Sequence, residues 1–353
     1  MKLPELKIGN LTAKLPIIQG GMGVGISLNK LASAVTNEGG IGIISGVQIG
    51  FREPDFIKNT LDANLRILES EIKLAKENTN QGIIGINFMV AMKNYDILVK
   101  KAVELGIDLI ISGAGLPLEL PSLVKGSDTK IAPIVSSGKA ASLICRMWDK
   151  KDGVAPDAVV VEGPLAGGHL GFSREELDSG TTENLEDILL DVIKVVKPFA
   201  KKYNKHIPII AAGGIYDGND IARLIALGAD GVQMGTRFIA TEECDAHLNY
   251  KLAHINAKKE DIQIVMSPVG MPGRAIINPL MRRNEMNQHC FYSCLRSCKP
   301  KEIPYCISGA LLNAANGNVD EGLLFSGAYG YRAEKIQTVK EIMDELQEQI
   351  AVY

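Results

Sequence analysis

Long hydrophobic runs are missing from this sequence. No apolar stretch approaches the roughly 20 residues that a membrane span needs. The N-terminal MKLPELKIGNLTAKLPIIQ carries no apolar block of the secretory-signal kind. An excess of charge is missing too. Lys and Arg number 38 against 41 Asp and Glu, a net charge of −3, so there is no basic footprint for nucleic acid. Cysteine is scarce, six in 353 residues, too few for the disulfide framework of a secreted domain. The GxGxxG fingerprint of dinucleotide-binding sheets is absent after the first apolar run. These absences point to a cytoplasmic globular protein that binds a small molecule, with neither nucleic acid nor membrane as partner.

What is present is repetition. Short β-branched runs begin near Pro16, Ile41, Gly82, Ile107, Lys130, Asp157, Ile207 and Gly231. Several are apolar throughout, as parallel strands buried on both faces should be. Amphipathic stretches fill the gaps. SLNKLASAVTNEGG reads as a helix with Ser27 as its N-cap and Gly39 at its stop. Leu61, Leu65, Leu68, Ile72 and Ala75 form one helical stripe; Leu185, Ile188, Leu189, Val192, Val196 and Phe199 form another. Eight strand–helix units predict an α/β fold, a (β/α)8 TIM barrel, with a doubly wound open sheet as the alternative.

Glycines gather where these strands end: QGGMG, SGAG, SSGK, EGPLAGGHLGF, AAGGI and MGT. In a barrel all of them meet at the C-terminal mouth, where active sites of this fold lie. Gly213-Gly214 after strand seven and Gly235-Thr236 after strand eight occupy the two loops that often bind phosphate through backbone N–H groups. One such pair could merely turn the chain; two in these units favour an anion. Gly20, Gly21 and Met22 offer backbone against which a flat ring could lie, with Asn87 and Gln233 as polar partners. Lys139 either supplies positive charge there or is a solvated lysine at a helix start.

PIIQGGMG, GINF, EGPLAGGHLGF, IPIIAAGGI, GADGVQMGTRF and SPVGMPGRAI, in this order, resemble the nitronate monooxygenase family, formerly the 2-nitropropane dioxygenases. Flavin-dependent enoyl-acyl-carrier-protein reductase II enzymes share the same framework. The resemblance covers about residues 10 to 280 and implies FMN at the barrel mouth. The phosphate would sit on Gly213, Gly214, Gly235 and Thr236, and the ring near Gly20, Gly21 and Met22. Gly167 and Gly168 would let flavin and substrate approach, and the histidine of the GGH motif falls on His169. With an ordinary pKa near 6.5, His169 could take or give a proton at neutral pH. His206, His247, His254 and His289 stand at positions with no constellation around them.

Two reactions follow from the resemblance. In one, alkyl nitronates or nitroalkanes are oxidised with O2. In the other, NADH supplies the electrons that reduce an enoyl thioester. A third reading is a phosphate-ligand sensor that turns nothing over. IMP-dehydrogenase-type barrels carry similar glycine pairs but need a nucleophilic cysteine after strand six, where this chain has none.

HCFYSCLRSCKPKEIPYC departs from the shared core. Cys290, Cys294 and Cys298 are four residues apart, with Cys306 beyond. On one helix face the first and third would be about 12 Å apart, too far for one zinc ion. Zinc or an iron–sulfur cluster therefore requires the helix to break; packing thiols or a redox pair are the other readings. The chain divides into a barrel (1–261), a lid-like region holding the Cys-rich segment (262–332) and a C-terminal helix (333–353). Within the lid, Ser326, Gly327 and Tyr329 are candidates for covering the flavin. Barrels of this kind often pair, which makes a homodimer an expected state.

Overall fold

The computed structural model describes residues 3–283, 292, 294–296, 298 and 303–353. Eight parallel strands close into a barrel: β1 (Ile17–Gln19), β2 (Ile41–Ser45), β3 (Ile84–Met89), β4 (Leu109–Gly113), β5 (Lys130–Val135), β6 (Val159–Glu162), β7 (Ile209–Ala212) and β8 (Gly231–Met234). Each starts at, or at most two residues after, the position read from the sequence. β8 pairs with β1, which closes the ring.

The strands are apolar throughout because each serves two cores. Alternate residues point to opposite faces. Ile18, Ile41, Ile43, Leu109, Ile111, Val160 and Ile210 fill the barrel. Their neighbours Ile17, Ile44, Ile110, Val159, Val161 and Ile209 pack outward against the helices. A hairpin of Leu6–Ile8 and Leu11–Ala13 adds Leu6 and Ile8 to the interior cluster, and so plugs the N-terminal end.

The same alternation decides what faces the open end. Two residues beyond Ile43 comes Ser45; two beyond Val160 comes Glu162; two beyond Gly231 comes Gln233. These three strands thus end on a polar side chain at the mouth.

Ser27 is not the cap of the first barrel helix. The helix runs Asn29–Asn37 after Leu28, without a side-chain cap of its own. Asp245 fills that role from far away, accepting from the backbone N–H of Leu28 at 2.7 Å and of Leu31 at 3.3 Å. Ser27 instead accepts from the backbone N–H of Met22 at 2.8 Å and pins the loop after β1.

Beyond the barrel, Ile262–Met266 and Pro272–Ile276 form a hairpin that adds the two-residue strand Gly168–His169 at its edge. The helix Ile307–Ala315 follows, then the strap 325–332. The last helix, Val339–Val352, starts six residues later than the expected Ala333 and buries Ile342, Met343, Leu346 and Ile350. Among the described residues no helix is long and apolar enough to cross a membrane.

Candidate active site

A cavity of about 400 Å3 opens at the C-terminal mouth. Gly20, Gly21, Met22, Asn87, Gly167, Gly168, His169, Gly213, Gly214, Gln233, Gly235 and Thr236 all line it. Lys139 does not. It is exposed at the start of the helix Gly138–Asp152, so the charge expected from it is not delivered to the mouth.

The glycines have separate reasons. A Cβ on Gly20 would lie 3.1 Å from the Gln233 side chain, and one on Gly21 would lie 2.4 Å from the Cβ of Asn87. The floor after β1 is therefore bare so that these two amides can stand against it. Gly213 and Gly214 have φ of +88° and +79°, where a side chain is strained whatever the space. At Gly235 the nearest atom to an added Cβ is the Met22 sulfur at 3.4 Å, so the backbone there is open to a ligand. Gly167 answers to protein contact: a Cβ would meet the Gly327 nitrogen at 2.5 Å. The expected approach of a ligand is not what requires glycine at that position.

The strap holds this arrangement closed. Gly327 N–H donates to the Thr236 hydroxyl at 2.8 Å, and Ala328 N–H donates to the Leu165 carbonyl at 3.0 Å. Arg332 pairs with Asp217 at 2.8 Å and stacks on Tyr216, whose ring also lies beneath Arg237. Of the three strap residues singled out in the sequence, Gly327 and Tyr329 line the cavity, whereas Ser326 is buried behind it.

His169 is held on two sides. Its backbone is paired to Gly273 across the small sheet. Its Nε2 shares a hydrogen bond of 2.8 Å with the Ser267 hydroxyl. Val269 N–H donates to the same hydroxyl oxygen at 3.5 Å, so the hydroxyl that holds the ring is itself held by the turn after it. Phe325 meets the ring edge-on at 5.0 Å. Arg274 ties the preceding loop by donating to the carbonyls of Pro164 at 2.7 Å and Ala166 at 3.2 Å.

Removal from bulk water lowers the His169 pKa to about 4. The ring is therefore neutral at pH 7, and its conjugate acid is too strong for the freely titrating group read from the sequence. Burial pushes Glu162 the other way, up to about 7. Both side chains keep some surface, and both line the cavity. Glu162 opens the quoted EGPLAGGHLGF stretch and still went unassigned; an acid at the inward register of a Val-rich strand end was the signal.

Three buried polar atoms around this cavity have no protein partner: Ser45 Oγ, Gln48 Nε2 and Gln233 Oε1. Buried polar groups rarely stay unpaired, so the site is built for a polar ligand. No Lys or Arg lines it among the described residues.

The Cys-rich segment reaches the cavity from outside the barrel. Leu295 pairs with Met92 in an antiparallel bridge, Lys93 N–H donates to the Cys294 carbonyl, and Arg296 N–H donates to the Ala91 carbonyl. Residues 294–296, the described part of this stretch, thus pair with 91–93 and are not helical. Cys294 and Leu295 line the cavity. Cys290 and His289 lie outside the described residues. Among the described residues no group of three or more potential ligands is placed to hold a metal ion, Cys294, Cys298 and Cys306 included.

The nitronate monooxygenase family profile matches residues 5–349. The probable nitronate monooxygenase of Staphylococcus saprophyticus is 29% identical over 350 residues, covering 93% of this chain and 92% of that protein. A Staphylococcus aureus relative described in the same words is 30% identical over 302 residues, 79% of each chain. Among solved structures, FabK from Thermotoga maritima superposes with a TM-score of 0.73 at 27% identity, covering 96% of this chain and 94% of that one. A nitroalkane oxidase from Streptomyces ansochromogenes shares the fold, with a TM-score of 0.74 at 22% identity and 96% of each chain covered. The chain belongs to the nitronate monooxygenase family, and with it to the oxidoreductases.

Proposed function

We propose that this chain is an FMN-dependent oxidoreductase that oxidises alkyl nitronates with O2. The observation that carries the reading is the cavity itself. It joins two phosphate-type loops, a bare floor backed by two amides, and a histidine held in one orientation. The orphaned Gln233 oxygen and the open backbone at Gly235 fit an FMN molecule. Gly213, Gly214, Gly235 and Thr236 would hold its phosphate. Gly20, Gly21 and Met22 would support its ring, with Asn87 and Gln233 at its polar edge. When bound, FMN supplies the electron acceptor that no side chain here provides.

His169 then orients the substrate. A neutral imidazole whose Nε2 accepts from the Ser267 hydroxyl presents Nδ1–H as a donor to a nitro oxygen. A group with a pKa near 4 is a weak base toward a carbon acid. The preformed nitronate is accordingly the better substrate. Phe325 and the strap keep water away from the ring.

A second reading is reduction of an enoyl thioester with NADH, the activity class of FabK. Two observations favour it: among the described residues no Lys or Arg lines the cavity to meet an anion, and Met89, Met92, Leu295, Ile307 and Leu311 supply apolar wall. The deciding experiment compares ethyl nitronate with NADH as the source of electrons for the purified flavoprotein. Loss of flavin absorbance with nitronate alone supports the first reading; loss with NADH alone replaces it with the second.

A further inference from the structure

Gln48 lies just beyond β2, is 5% exposed and lines the cavity. Its φ of +49° is unusual for a residue other than glycine. A relay of amides fixes which way its side chain faces. Gly50 N–H, a donor that cannot reverse, donates to Asn64 Oδ1 at 2.8 Å. Asn64, itself 3% exposed, must then turn its NH2 group toward Gln48, and Nδ2 donates to Gln48 Oε1 at 3.2 Å. Gln48 Nε2 is left facing away from that bond with no protein acceptor. Flipping the Gln48 amide would set two NH2 groups against each other. Gln48 lines the cavity, and its Nε2 is a buried, oriented and unsatisfied donor.

We propose that Gln48 Nε2 recognises a second oxygen acceptor on the substrate, a neutral carbonyl of the ester, thioester or amide type. An apolar spacer separates that carbonyl from the reacting carbon. This rests on reading the cavity as a flavin and substrate site, but not on which of the two reactions occurs there. The acceptor is neutral because no Lys or Arg lines the cavity among the described residues, while Glu162 does. A carboxylate there would be buried without a countercharge. The spacer is apolar because Val47, Met89, Met92, Leu295 and Leu311 share the wall. The acceptor belongs to substrate because the polar positions at the flavin floor are already Asn87, its register partner Ser45, and Gln233. Gln48 follows three residues after Ser45, on the loop outside the barrel.

The test is calorimetric titration of the flavin-loaded protein with methyl hexanoate and with 1-methoxyhexane, which lacks the carbonyl. Wild type should bind the ester about tenfold more tightly, the size of one buried hydrogen bond. Gln48→Met should bring the ratio near one. Gln48→Glu, which keeps the bond from Asn64 but offers no donor, should do the same. Equal binding by wild type, or a preference that survives either substitution, overturns the proposal. So does Gln48→Met releasing flavin while the ester preference stays intact. Nitronate turnover is measured in parallel. A ratio that depends on Gln48 in a protein that oxidises no nitronate leaves this proposal standing and sinks nitronate oxidation; turnover without any ester preference does the reverse.

Discussion

The imidazole of His169 and the hydroxyl of Ser267 lie 2.8 Å apart, although 98 residues separate them in the chain. The hairpin that carries Ser267 also supplies Gly273, the backbone partner of His169. One supersecondary unit thus sets both the place of the ring and the hydrogen-bond partner of its Nε2. Ser267 acts through His169 and is a positioning residue. Ser267→Ala should lower kcat on ethyl nitronate about tenfold, the cost of one orienting hydrogen bond. KM and flavin retention should hold. Steady-state kinetics beside the flavin-to-protein absorbance ratio checks this; a loss of flavin would show that the residue is structural.

Neutral nitroalkane should be a poor substrate. General-base catalysis is worth roughly 100-fold or more, and an imidazole with a pKa of about 4 forgoes most of it. The kcat/KM for nitroethane should fall at least about 100-fold below that for ethyl nitronate. Comparable values would mean that a real base operates in the cavity. Glu162, with its pKa raised to about 7, would be the group to replace next.

The pH dependence separates the two ionisable groups. A break in kcat/KM near pH 7 belongs to Glu162 and should vanish in Glu162→Gln. His169 should contribute none above about pH 5, because its pKa is depressed to about 4. The stability signs are opposite. Between about 4.5 and 7 the folded protein holds a proton on Glu162 that the unfolded chain has released, so this group's contribution falls as pH rises through that window. Glu162→Gln should therefore raise Tm at pH 8 and make little difference at pH 4. Between about 4 and 6.5 the unfolded chain binds the extra proton at His169, so that contribution falls as pH drops. Thermal melts of ligand-free protein read both.

Gly235 is the clean test of the phosphate loops. An added Cβ has 3.4 Å to its nearest neighbour, and the backbone there is at φ −108°, which any residue adopts. Gly235→Val should leave the melting temperature within a few degrees of wild type and reduce flavin retention at least about tenfold. The same change at Gly213 or Gly214 would confuse folding with binding, because both have positive φ and backbone or side-chain atoms within 3.0 Å.

The barrel was legible because its signal is local. Each strand announces itself by a short β-branched run, and most loops at the mouth by glycine. What escaped the sequence depends on partners far away in it. Ser27 looked like a helix cap, yet Asp245 outcompetes it from 217 residues away. Gly167 lines the cavity as expected, yet what demands glycine there is the strap at Gly327, which an added Cβ would meet. Cys294 stood at helical spacing from Cys298, yet residues 294–296 pair with 91–93 instead of forming a helical turn. Glu162 and Gln48 went unread because their meaning comes from register and burial: an acid turned inward, and an amide oriented by a relay through Asn64.

The central claim is that this cavity moves electrons from a nitronate to a bound flavin. Anaerobic stopped-flow absorbance tests it most directly, with the flavin-loaded protein mixed separately with ethyl nitronate and with NADH. Rapid loss of the flavin band with nitronate, and none with NADH, is the expected result. Bleaching by NADH alone, or a protein that takes up no flavin on reconstitution, would contradict it.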